Sequence, residues 1–106
     1  MVELIWSPTA VKDIGNIAEY IAKDSLKAAK LQTNRFFEKA EILENYPLIG
    51  SFVPELNDKN YRQLLVNSYR IIYKVISEAE VHILTVHHQA RLLENNPVFK
   101  RKLKKK

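Results

Sequence analysis

The side chains best able to do chemistry crowd into one stretch, Tyr61 to Arg91. It holds all three histidines, His82, His87 and His88, and the arginines Arg62, Arg70 and Arg91. Guanidinium groups grip phosphate oxygens in pairs, and imidazole exchanges a proton near neutral pH. Arg62, Arg70, His87, His88 and Arg91 could together cleave a phosphodiester bond by acid–base catalysis with charge stabilisation. The same residues admit a structural reading. In it, Arg62 and Arg70 pair with Glu55, Glu78 or Glu80, and the histidines fill sheet positions. The residues alone support either.

Other chemistries find no support. The chain has no cysteine, which excludes disulfides and thiol catalysis. His87 and His88 are adjacent, so in a strand they point to opposite faces and cannot chelate together, and His82 and His88 share a face but lie six residues apart. No metal site is expected. With two glycines and no GxxxxGK pattern there is no phosphate-cradling loop, and no cofactor is expected. Ser7, Ser25, Ser51, Ser68 and Ser77 fall at caps or turns without a nucleophile-elbow motif.

The stretch must be positioned by a sheet. Tyr61 to Val66, Tyr69 to Ser77 and Glu80 to His88 are rich in Ile, Val, Tyr and Thr and read as strands. Asn67-Ser68 and Glu78-Ala79 are links of hairpin length. Two-residue turns place Leu65 opposite Arg70, Ser77 opposite Glu80 and Arg70 opposite His87. Directly opposed residues share a face. Leu64, Val66, Ile71, Tyr73, His82, Leu84 and Val86 then share one face with Arg62, Tyr69 and His88. Leu65, Ile72, Val81, Ile83 and Thr85 share the other with Arg70 and His87. Both faces are substantially apolar. One receives helices; the other needs its own cover or is a partner's binding surface.

The helices lie upstream. Val2 to Trp6 reads as a strand, and Ser7-Pro8 as a helix start, with Ser capping and Pro at the first helical position. Ala10, Val11, Ile14, Ile17, Ala18 and Ile21 draw an apolar stripe on a helix over 8–23. Gly15 inside it costs about 1 kcal/mol against alanine. Asp24-Ser25 starts a second helix from Leu26 to Tyr46, ending before Pro47, with Phe36 and Phe37 read as core. Asn45 to Asn60 reads as loop. The fold class is therefore α+β: an N-terminal strand, a helical hairpin, then a three-stranded antiparallel meander forming one sheet on the helices.

Composition bounds the rest. A chain of 106 residues fits one domain, assigned to 1–96, followed by a basic tail over 97–106. Lys and Arg number 17 against 12 Asp and Glu, but six of the basic residues lie in Lys100 to Lys106, so the body carries 11 against 12. The basicity belongs to the tail, not to a surface-wide field. MVELIWS is too short for a signal h-region and no apolar run approaches a membrane span, so a cytoplasmic protein is expected.

The order and spacing of several pieces resemble the RelE/ParE toxin family of type II toxin–antitoxin systems. They are Trp6-Ser7-Pro8, Asp13, Ile17 and Tyr20-Ile21, Pro47 and Gly50, Glu55-Leu56, and Tyr61-Arg62. Most distinctive is Tyr69-Arg70-Ile71-Ile72-Tyr73, followed by Val81, Ile83-Leu84, Val86-His87 and Arg91. The resemblance covers residues 2 to 91. It implies the architecture just read, a growth-inhibiting toxin of the kind used in plasmid stabilisation, and a cognate antitoxin, expected to be small and acidic. One branch of the family cleaves mRNA on the ribosome, and the other inhibits DNA gyrase without being a nuclease. If the chain is a ribonuclease, the resemblance points to Glu55, Arg70 and His87 as catalytic. Trp6-Ser7-Pro8 and the Tyr-Arg-Ile-Ile-Tyr and Val-His-His-Gln-Ala-Arg runs look closer to the ParE-like branch. In that reading Arg62, Tyr69, His88 and Arg91 are the candidates for contacting the target or the antitoxin. Self-association into a homo-oligomer and a non-toxic binding remnant stay open.

Overall fold

The computed structural model describes residues 1–103 of the chain. It is an α+β domain whose order is β1 (Glu3–Trp6), α1 (Pro8–Ala22), α2 (Leu26–Glu41), a 3-10 turn (Ile42–Glu44), β2 (Ser51–Phe52), β3 (Tyr61–Val66), β4 (Tyr69–Val75), β5 (Glu80–His88), a second 3-10 turn (Leu93–Asn95) and α3 (Lys100–Leu103). No helix among the described residues is long and apolar enough to cross a membrane.

The helix starts follow their capping chemistry. Ser7 Oγ accepts from Ala10 N–H at 3.0 Å and donates to Leu84 O at 2.8 Å, fixing α1 to β5 as well as opening it. Ser25 Oγ accepts from Ala28 N–H at 3.1 Å and opens α2. The second helix stops at Glu41 and tightens into the 3-10 turn before Pro47, rather than running on to Tyr46.

The sheet has five strands in the order β1-β5-β4-β3-β2. The meander β3-β4-β5 is antiparallel; β1 joins β5 in parallel, and β2 adds two residues to the β3 edge from within the connector read as loop. Asn67 sits at φ 55°, the left-handed region that asparagine tolerates, and its Nδ2 donates to Gln32 Oε1 at 2.9 Å, tying the first turn to α2.

The second turn differs from the two-residue reading. Val75 pairs with Val81 and Tyr73 with Ile83, while Ile72 pairs with Thr85. One extra residue, Leu84, is therefore bulged out between two stretches of ladder. The bulge restores the upper register, so Arg70 does lie opposite His87 and Leu65 opposite Arg70. Below it the faces exchange, as a one-residue slip requires. Val81 and Ile83 join the helix-side core with Ile71, Tyr73 and Phe36, and Leu84 turns to the other face.

Both faces are covered by this chain itself. The helices bury the first around Phe36, Leu43, Ile71 and Tyr73. On the second, Val53 and Leu56 of the connector, with Leu93 and Phe99 of the C-terminal segment, close over Ile72. Each large side chain so buried stabilises the fold by about 1.5–3 kcal/mol. The second face is therefore not an open apolar docking surface, as the strand pattern had allowed. Phe99 lies inside the segment read as a basic tail and is 1 % exposed; Lys104 to Lys106 of that segment fall outside the described residues.

Candidate functional site

Two arrangements meet at the C-terminal end of β5. The first is a polar network on the second sheet face. The β3–β4 register sets Arg70 beside the connector, where its Nη1 and Nη2 donate to Glu55 Oε1 and Oε2 at 2.9 and 2.8 Å. Nη1 also donates to Gln63 Oε1 at 3.0 Å. This is the forked geometry that guanidinium and carboxylate favour. Arg70 is 7 % exposed, whereas the Glu55 side chain is 39 % exposed. The hydrogen bonds from Arg70 hold the Glu55 carboxyl below its ordinary range, against the opposing effect of burial.

His87, opposite Arg70, is 6 % exposed and both its ring nitrogens are engaged. Nε2 lies 2.9 Å from Arg91 O, which can only accept, so Nε2 carries the proton. Nδ1 lies 3.0 Å from Asn96 Nδ2. The orientation of that amide is fixed because Asn96 Oδ1 accepts from Val98 N–H at 2.9 Å. Asn96 Nδ2 therefore donates to Nδ1, and also to Thr85 Oγ1 at 3.1 Å. Thr85 Oγ1 donates onward to Asp13 Oδ2, and the same oxygen accepts from Val86 N–H at 3.0 Å. Asp13, from α1, thus closes the edge of β5 where β1 has ended. The network is continuous from Asp13 to the carbonyl of Arg91, and every polar atom named in it has a partner.

The second arrangement is a cleft of about 590 Å³ between α1 and the segment after β5. Ile17 and Tyr20 stand on its helical side, with Tyr69, His88, Arg91 and Leu92 opposite. The Tyr69 ring meets Phe36 edge-on at 5.3 Å and His88 edge-on at 5.1 Å, so both rings are held in place. His88 Nδ1 accepts from Ala90 N–H at 3.0 Å, which fixes the half-buried ring against the turn after β5. Arg91 is exposed at the rim. Aromatic faces, an imidazole and an exposed guanidinium around one concavity suit contact with a polar or acidic protein segment.

The structure thus sorts the residues singled out in the sequence. Glu55 and Arg70 pair on the second face with Glu55 still partly exposed, and His87 stands opposite Arg70, bonded within the Asp13-to-Arg91 network and also lining the cleft. Tyr69, His88 and Arg91 come together around the cleft. Arg62 joins neither: its Nη1 donates to Leu48 O at 3.0 Å and Gly50 O at 2.8 Å, and its guanidinium lies 4.5 Å over the Phe52 ring. It pins the connector. Gln63, Thr85 and Asn96 are network members that sequence reasoning passed over. Thr85 is a β-branched residue in a strand and Asn96 precedes a proline, so neither stood out by type. No group of three or more His, Asp or Glu among the described residues could hold a metal ion.

The comparisons with known proteins agree with this architecture. Residues 4–93 match the model of the "ParE toxin of type II toxin-antitoxin system, parDE". Toxin RelE2 of Caulobacter vibrioides is 30% identical over 92 residues, covering 87% of this chain and all of that protein. The fold is shared with a chain of the chromosomal ParDE toxin–antitoxin system from P. aeruginosa, at TM-score 0.69 and 20% identity over 83% of this chain and 96% of the other. It is shared too with a chain of the E. coli DinJ-YafQ complex, at TM-score 0.61 and 17% identity over 88% and 99%. With strand, helical hairpin and meander in place and the family model spanning nearly the whole of them, the chain belongs to the ParE toxin family of type II toxin–antitoxin systems.

Proposed function

We propose that this toxin arrests growth in the cytoplasm by binding DNA gyrase, and that it does not cleave RNA. The observation that carries the reading is the state of His87 and Arg70. A general acid or base needs a nitrogen or oxygen within reach of the substrate's proton. His87 gives one nitrogen to Arg91 O and the other to Asn96, and the nearly buried Arg70 is paired with Glu55. The imidazole and the guanidinium that a ribonuclease reading assigns as catalytic are therefore already engaged within the fold, and the partly exposed Glu55 carboxylate is held by Arg70. The near-neutral body, with 11 basic residues against 12 acidic outside the terminal run, supports the same reading.

The cleft at Tyr69, His88 and Arg91 is the proposed contact surface for the target or for the antitoxin. Arg62 is assigned a positioning role through the connector instead of direct contact. An antitoxin partner is supported by the company the fold keeps, since the similar chains come from a ParDE system and a DinJ-YafQ complex.

The test pairs two assays on the purified chain. Gyrase supercoiling should fall with added toxin, while mRNA on translating ribosomes stays intact. Arg70→Ala with His87→Ala, in a variant that still folds, should leave any effect on supercoiling in place. Normal supercoiling at saturating toxin with rapid mRNA cleavage, lost in that double variant, would overturn the proposal in favour of a ribosome-dependent endoribonuclease.

A further inference from the structure

The outer edge of β1 is bare. In its parallel ladder the strand uses alternate residues: Glu3 N–H donates to Ala79 O at 2.8 Å and Ser7 N–H to Ile83 O at 2.9 Å. Ile5 lies between them in the same phase, opposite His82. The peptide groups of Leu4 and Trp6 therefore point away from β5. No partner meets them among the described residues, because β1 is the last strand of the sheet on that side. Val2 N–H, on the same edge, is taken by Glu44 O at 2.9 Å, so the turn after α2 stops the edge at one end. An unpaired edge of this kind is a template for another extended chain.

A cleft of about 510 Å³ lies along this edge. Its apolar wall is Leu4 and the Trp6–Phe37 pair, whose rings stand 4.9 Å apart and tilted by 55°. Phe37 does not join the core, as its place on the helical stripe had suggested, and is 42 % exposed. Among the described residues, every ionisable side chain lining the cleft is a carboxylate: Glu3, Glu38, Glu41 and Glu44. None of the four forms a salt bridge among the described residues. A local charge of this sign is opposite to the net +5 of the chain.

We infer that the free edge of β1 takes an extended, lysine- or arginine-bearing segment of a partner protein. The segment's backbone pairs with the outward peptide groups of Leu4 and Trp6. Its side chains alternate in direction, so those on one face lie on the Trp6–Phe37 wall. The cationic groups meet the glutamates of α2 and the turn after it, and gain further from the aromatic faces. The sign of the charge separates this surface from the cleft at Arg91 and His88. An acidic segment suited to that cleft is repelled here.

Trp6 is the only tryptophan in the chain, so its emission reads this surface directly. The full chain is titrated with a synthetic peptide alternating Lys and Val, and in parallel with one alternating Glu and Val. The lysine peptide should change Trp6 emission saturably, and the change should weaken several-fold at salt above about 0.3 M. Glu38→Gln with Glu41→Gln, both on exposed positions of α2, should weaken it about fivefold while leaving the unfolding midpoint in place. A proline-interrupted lysine peptide should lose most of the effect, because it cannot complete the ladder. An unmoved Trp6, or an equal response to the glutamate peptide, would overturn the inference. So would emission that shifts with protein concentration alone, which would make a second copy of this chain the occupant.

Discussion

Glu55 and Arg70 stand 15 residues apart in sequence and meet through two parallel hydrogen bonds of 2.9 and 2.8 Å. The pair joins the connector to the middle of the sheet and neutralises a nearly buried guanidinium. Glu55→Gln removes the charge and leaves Arg70 with only Gln63 and a neutral amide. Discounted for the exposure of Glu55, the loss should be about 1–2 kcal/mol at neutral pH. The pH dependence follows from the sign of the shift. The folded carboxyl titrates below its ordinary value of 4.5, so the pair's contribution is present above that value and is lost as pH falls through the lower folded one. Urea unfolding of wild type and variant across this range checks it: the gap between their midpoints should be open at pH 7 and close in acid.

Asn96 bonds to both His87 and Thr85, and Thr85 reaches Asp13 of α1. Asn96→Ala should cost about 2–3 kcal/mol, because it strands the Nδ1 acceptor of a buried ring. Thr85→Val should cost about 1–2 kcal/mol through the two hydrogen bonds of its hydroxyl, although Asp13 keeps Val86 N–H and Asn96 keeps His87 Nδ1. The two should add to less than their sum, with a coupling of about 1 kcal/mol in a double-mutant cycle by chemical denaturation. The nitrogen chemical shifts of His87 should report hydrogen bonding at both ring nitrogens, and the Nδ1 shift should change in Asn96→Ala.

The two glycines predict opposite responses. A Cβ on Gly50 would lie 2.6 Å from Gln63 O and 2.6 Å from Tyr73 Oη. The tyrosine cannot retreat, since its hydroxyl accepts from Gly50 N–H at 3.0 Å and donates to Pro47 O at 2.8 Å in a buried site. Gly50→Ala should therefore destabilise by about 2–4 kcal/mol, through overpacking and the lost Tyr73 hydrogen bonds. Gly15 has nothing within 4 Å of the same built atom. Gly15→Ala should stabilise α1 by up to about 1 kcal/mol. Thermal midpoints of the two variants, measured side by side, should move in opposite directions.

The helices were legible because their apolar stripes repeat locally, and the meander because its strands are consecutive and β-branched. The Arg70–His87 pairing was legible for a less secure reason. The turn after β4 holds one residue more than a hairpin link, and the bulge at Leu84 takes that residue back. Two errors of equal size cancel at His87 and do not cancel at Val81 and Ile83, whose face was misread. A bulge is a backbone event, and nothing in the type of Leu84 announces it. The cleft residues Tyr69, His88 and Arg91 could be placed on the sheet but not against α1, since that contact depends on how the hairpin crosses the strands. The Asp13–Thr85 bond spans 72 residues, and no local pattern encodes a partner at that distance.

The C-terminal run hides a core residue among cations. Phe99 sits in Val98-Phe99-Lys100-Arg101-Lys102, where charge alone suggests a solvated tail, yet its ring meets Tyr61 edge-on at 5.8 Å and packs with Val53, Leu56, Ile72 and Leu93. Phe99→Ala should cost about 3–5 kcal/mol, as expected for emptying an aromatic site in a packed cluster. Loss of the ring also loosens the lid over Ile72, so the variant should bind a hydrophobic dye that wild type does not. Charge removal in the same segment should behave differently. Lys100→Gln and Arg101→Gln alter exposed positions and should stay within about 0.5 kcal/mol of wild type. Lys102→Gln should cost slightly more, since its ammonium lies 5.2 Å from the Tyr61 ring centroid and 3.8 Å from Asp58 Oδ2. If urea midpoints rank the four variants in this order, the segment through Leu103 belongs to the domain through its apolar residues, and the lysines ride on its outside.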